Sequence, residues 1–175
     1  MGKNIGLDAF QAKADNLELP MGLVVDHLTL TTGRATAVTD PFSLTLAEPG
    51  DVRVEISESN VARYLEELAP GGLKNFQVEC RDEFIVVRAT VRFLLEVPVY
   101  AQCRLVIHEG RELHVELVEA QVVGGDAKRL VEGQIERVNP IFRVSDIPFP
   151  LVLDEVLVRE GYITLLGTAD MPQSS

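Results

Sequence analysis

From Ile85 to Ile107 every odd position is apolar: Ile85, Val87, Ala89, Val91, Phe93, Leu95, Val97, Val99, Ala101, Cys103, Leu105 and Ile107. The even positions between them carry Arg88, Thr90, Arg92, Glu96, Gln102 and Arg104. A period of two means side chains alternating across a strand, with one face buried and the other wet, as in antiparallel sheets. The run is two strands long, and Leu94-Leu95-Glu96 before Pro98 is where it turns back. Glu109-Gly110 then predicts a hairpin, with Leu113, Val115 and Leu117 on the return strand.

Shorter stretches of the same kind flank this block. Val24, Leu28 and Leu30 predict one strand, with Asp26 and His27 interrupting it. Phe42, Leu44 and Leu46 share the apolar face of a second, and Val52, Val54 and Ile56 that of a third. A closing hairpin holds Leu151, Leu153, Val156 and Val158, then Ile163 and Leu165 beyond the Glu160-Gly161 turn. Two segments have helical spacing instead. Ser57 is placed to cap the first, which carries Val61, Tyr64, Leu65 and Leu68 and stops at Pro70-Gly71-Gly72. The second follows Gly124-Gly125, with Asp126 as its cap. It turns Leu130, Val131, Ile135 and Val138 to one side and ends at Asn139-Pro140. Gly133 within it predicts a close backbone approach. Residues 1–22 are expected to form an irregular or weakly helical arm, on the spacing of Leu7, Phe10, Ala14 and Leu17 before Pro20. Residues 23–170 are expected to form one domain and residues 171–175 a disordered tail.

The predicted fold is therefore α+β: long amphipathic antiparallel strands with one or two amphipathic helices against their apolar face. At 175 residues the chain can bury a core without metal or disulfide. Its net charge of -11 and its scattered basic residues argue against nucleic acid as a partner. Met1 to Gly6 is polar, and no apolar run reaches the length of a membrane span, so the chain as written reads as soluble. Cys80 and Cys103 read as small buried hydrophobes, or as a disulfide pair if the compartment is oxidising.

No catalytic constellation is legible. The sequence contains neither a phosphate loop, nor a nucleophile elbow, nor a zinc-protease helix motif. His108 and His114 flank one turn but have no evident third ligand, so no metal and no cofactor is expected. The acidic neighbours Glu66-Glu67, Asp82-Glu83 and Asp154-Glu155 diverge on any regular element. The one functional feature is proportion: a large apolar sheet face and two modest helices to cover it. A groove left between them suits an acyl chain, whose burial gains about 0.8 kcal/mol per methylene.

Several short motifs, taken in order, carry a family likeness. The run Arg137-Val138-Asn139-Pro140, then Val144-Ser145-Asp146-Ile147-Pro148-Phe149, then the closing pattern through Gly161, Ile163, Leu165 and Gly167 resembles the end of the LmeA-like phospholipid-binding family. Val52-x-Val54-x-Ile56-Ser57-Glu58-Ser59-Asn60 and Val97-Pro98-Val99 are similar to other parts of it, and the likeness spans about residues 23–168. The family is in turn similar to the tubular lipid-binding superfamily, and the resemblance implies a long, strongly curved antiparallel sheet wrapped around one or two amphipathic helices. The resemblance implies a non-enzymatic protein that binds a phospholipid or fatty-acyl ligand, with transfer and transient membrane contact as the further roles it suggests. It maps the groove onto Val61, Leu65 and Leu68, onto Val91, Phe93, Val97 and Val99 of the sheet, and onto Leu130, Val131, Ile135 and Val138. Phe142 and Phe149 would form either a lip to the groove or part of the core. It also implies a periplasmic or cell-envelope address if a leader or anchor has been removed, and a cytoplasmic one otherwise. The competing expectation is a structural or interaction domain with a filled core, forming a homodimer through a sheet edge.

Overall fold

The computed structural model describes residues 2–92, 94–122 and 127–170. Its strands, in chain order, are β1 (Asn4–Leu7), β2 (Phe10–Glu18), β3 (Val24–Thr32), β4 (Ala35–Thr39), β5 (Phe42–Leu46) and β6 (Gly50–Ser57). Helix α1 (Glu58–Leu68) follows, then β7 (Lys74–Arg81), β8 (Phe84–Arg92), β9 (Glu96–His108) and β10 (Glu112–Val122). Helix α2 (Ala127–Val138) leads to β11 (Phe142–Arg143), β12 (Leu151–Arg159) and β13 (Tyr162–Ala169). The fold is α+β, with two helices and antiparallel sheets among the described residues, one of the sheets strongly curled.

One five-stranded sheet has the order β11-β10-β9-β8-β7, and another has the order β12-β13-β6-β3-β2. The two meet where β12 crosses the turns of the first: Leu153 N–H donates to the Gly110 carbonyl at 2.7 Å. Residues of both sheets and both helices belong to one apolar core.

The long alternating run becomes β8 and β9, broken where the pattern predicts. Their register pairs Val91 with Val97, Ala89 with Val99 and Ile85 with Cys103, so the odd residues of both strands share one face. Register shifts adjust the phase elsewhere. One between Leu117 and Glu119 of β10 turns Val118 outward, to 43% exposure. Another between Leu153 and Glu155 of β12 explains why the apolar spacing there jumps from Leu153 to Val156.

Helix α1 starts as predicted: the Ser57 hydroxyl accepts the Asn60 N–H, and Ala69 ends the helix in the left-handed region at φ 40°. Asp26 locks this junction by accepting the Ser57 N–H and an Asn60 amide proton. Glu58 and Glu66 then reach sideways to β7. The Glu58 carboxylate accepts the Cys80 N–H at 2.7 Å, and Glu66 accepts the Asn75 and Phe76 N–H groups. Those two amide donors hold the Glu66 carboxyl below the usual carboxylate range. The open edge of the sheet is thus stitched to the helix that lies against it.

Three expectations need correction. The N-terminal segment is not an irregular or helical arm but β1 and β2, and β2 pairs along β3. Its helix-like spacing arises from Asn16, whose φ of 52° shifts the phase so that Phe10, Ala14 and Leu17 all lie against the core. Phe42 is not on a buried face. It sits at the tip of the small sheet β1-β4-β5, 77% exposed, while Ala35 and Leu46 at the base of that sheet are buried. Gly133 faces open space; the close approach is at Gly71, where an added Cβ would strike the Gln134 side chain. The expected Asp126 cap, the Gly124-Gly125 break and the tail 171–175 lie outside the described residues.

Candidate functional site

The odd face of β8 and β9 is the floor of a cavity of about 80 Å³. Ile85, Val87, Ala89, Val99, Ala101 and Cys103 form that floor, and Val115 of β10 extends it. Alanines at positions 89 and 101 leave room that larger residues would close. The roof comes from the two helices, Val61, Tyr64 and Leu65 of α1 and Val131, Gln134, Ile135 and Val138 of α2. Leu73, Phe76 and Ile141 close the sides. The lining is almost wholly apolar, and its polar side chains are Tyr64 and Gln134.

These two polar groups differ. Tyr64 is 2% exposed, and burial pushes its hydroxyl above the ordinary phenol range. Gln134 presents Oε1 to the interior with no hydrogen-bond partner among the described residues. A buried acceptor left bare costs about 1–3 kcal/mol. Its side chain is held there by the glycine at position 71, against which it packs.

Helix α2 is anchored at one end. Asn139 pairs its side chain with the backbone of Val115, and the Ile141 N–H donates to the Leu113 carbonyl. At the other end, Lys128, Arg129 and Leu130 are exposed.

Of the residues the sequence marked for a groove, Val61, Leu65, Val99, Val131, Ile135 and Val138 meet in this cavity. Leu68 and Leu130 do not line it and are 43% and 41% exposed. Val91 and Val97 share the odd face but pair with each other closer to the β8–β9 turn. Phe142 forms no lip: it is fully buried in the core beside β10. Phe149 lines a separate groove, open to solvent, with Pro148 and Leu151. Phe93 lies outside the described residues. The alternation already implicated Ile85, Val87, Ala89, Ala101 and Cys103. Nothing in the pattern singled out Gln134, a polar residue on a helix.

His108 and His114 stack with ring centroids 3.9 Å apart. His114 Nε2 is 2.7 Å from a Glu112 oxygen, and that contact holds the Glu112 carboxyl below its ordinary range. Among the described residues no group of three His, Cys, Asp or Glu side chains is placed to hold a metal. Cys80 and Cys103 are buried and free. Both flank Ile85 in the ladder, two strand spacings apart, or about 9.5 Å, too far for a disulfide. No helix among the described residues is long and apolar enough to cross a membrane.

The family model described as LmeA-like phospholipid-binding matches residues 1–168 of the 175. No curated protein and no solved structure matches the chain.

Proposed function

The chain belongs to the LmeA-like phospholipid-binding family, and from that premise we propose that an acyl chain of a phospholipid occupies the space between the odd face of β8–β9 and the two helices. The observation that carries this reading is the cavity itself: an apolar floor kept open by Ala89 and Ala101 beneath two helices. The role is non-enzymatic, the holding and handing on of a lipid at the cell envelope.

At about 80 Å³ the space is smaller than the roughly 300–1,000 Å³ of ligand pockets, so a lipid must widen it. Helix α2 is the element suited to move. Its C-terminal end is held by Asn139 while Lys128, Arg129 and Leu130 near its start are exposed, so a swing about Asn139 lifts Val131 and Ile135 from the floor. Gln134, on the same face, then meets a polar atom of the ligand.

Native mass spectrometry of gently purified protein, paired with lipid extraction, tests the proposal. A bound mass matching a phospholipid or fatty acid is expected. A protein that is lipid-free and stays so after incubation with vesicles refutes it. The small volume also favours a second reading, a domain whose own side chains fill the core and which self-associates through a sheet edge. A concentration-dependent dimer that takes up no lipid would establish that alternative.

A further inference from the structure

We infer that the β8–β9 hairpin tip and the adjoining helix ends dock on a phospholipid bilayer, with the cavity opening toward the acyl layer. This rests on the cavity reading above but has its own observations. Leu94 is 100% exposed and Leu95 78%, both between β8 and β9. Leu68 closes α1 at 43%, and Leu130 stands in the first turn of α2 at 41%.

Ladder register and connectivity put these leucines at one end of the molecule. Arg92 pairs with Glu96 to close the hairpin at Leu94-Leu95, and Lys74, just after α1, pairs with Thr90 close to that turn. On β10, Val122 lies opposite Val99, and α2 begins five residues later. On each element the leucine continues from the cavity wall. Leu68 is one turn past Leu65, Leu130 adjoins Val131, and the hairpin tip lies beyond the Ala89–Val99 pair. A lipid leaving a bilayer at this end would meet the cavity without crossing water.

Charge selects the same occupant. The chain as a whole carries -11, which bilayers bearing anionic lipid repel. At this end, however, exposed Arg92, Lys128 and Arg129 offset exposed Glu67, Glu96 and Glu132, so the chain's excess of negative charge is absent here and the basic groups can meet lipid phosphates as the apolar side chains enter. A second copy fits less well. Weighted by exposure, the four side chains amount to fewer than three leucines, a few hundred Å², against about 800 Å² per partner in a standard interface.

The test is co-sedimentation of the full chain with vesicles of phosphatidylcholine containing one-third phosphatidylglycerol, comparing the parent with Leu94→Ser/Leu95→Ser. Both positions are exposed, so the fold should survive. Phe42→Ser serves as a control, removing an equally exposed residue from the separate sheet β1-β4-β5. Vesicle partitioning is expected to fall about tenfold or more in the double variant and to hold in the control. Binding of a short-chain phosphatidylcholine, supplied as monomer in water, should be unchanged in both. Equal sedimentation of parent and double variant overturns the inference, as does a parent that ignores vesicles or a tip that instead mediates a dimer. Loss of monomer binding in the parent while vesicle binding persists removes the cavity reading and leaves the docking surface standing.

Discussion

The side-chain amide of Asn139 pairs with the backbone of Val115 as another strand would. Its Oδ1 accepts the Val115 N–H at 2.7 Å, and its Nδ2 donates to the Val115 carbonyl at 2.8 Å. β11 covers β10 at Glu112 and Leu113, and Ile141 N–H donates to the Leu113 carbonyl. Asn139 therefore continues that ladder by a further step and fastens the end of α2 to it.

Replacing Asn139 with Ala bares both Val115 backbone groups, and the expected loss is about 1–3 kcal/mol of stability in urea unfolding. Asn139→Asp should cost more, because a carboxylate cannot donate to the Val115 carbonyl and repels it. Hydrogen exchange at the Val115 amide should accelerate in both. Unchanged protection would mean that α2 is held by packing alone.

The parts of this fold that follow local rules were legible. Period two placed β8 and β9 and the cavity floor, and Ser57 announced α1. The jump from Leu153 to Val156 is a bulge that only the strand pairing reveals. What escaped depends on partners distant in sequence. β2 mimics helical spacing because one backbone reversal at Asn16 resets its phase, and Phe42 alternates correctly on a strand whose tip has nothing over it. Leu68 and Leu130 have the right spacing for their helices but extend past the floor they would have to cover. Gln134 and Gly71 make sense only together, as a side chain and the gap that admits it.

That pair yields a second expectation. Gln134→Met keeps the shape and removes the bare buried oxygen, so the lipid-free protein should gain about 1 kcal/mol. Gly71→Ala should do the opposite: its φ of 64° strains any Cβ, which would lie 2.5 Å from Gln134 Cδ. Thermal melts of delipidated protein read both. A destabilised Gln134→Met would show that the amide has a partner, water included.

The thiols predict a pH dependence. Burial pushes Cys80 and Cys103 up to about 12, with the Glu58 carboxylate adding to the effect at Cys80. Folding holds these protons more tightly than the unfolded chain does. The stabilisation is thus complete below the ordinary thiol value of 9.0 and is lost as pH rises toward about 12. Native protein at pH near 8 should leave a thiol reagent such as Ellman's unreacted, and two equivalents should react on denaturation. Rapid labelling of the native protein would mean that the floor beneath the helices opens readily.

Filling the floor offers the sharpest separation of fold from function. Ala101 lies in the middle of it, paired with Val87 on one side and Ala120 on the other. Ala101→Leu adds apolar volume to a void of about 80 Å³, so the added atoms replace empty space rather than a neighbour. Stability should change by less than about 1.5 kcal/mol, because overpacking and void filling oppose each other. Lipid uptake should fall sharply, while docking on vesicles through Leu94 and Leu95 persists. If Ala101→Leu folds and carries as much extracted lipid as the parent, the acyl chain lies elsewhere, and the solvent-open groove beside Phe149 becomes the next place to look.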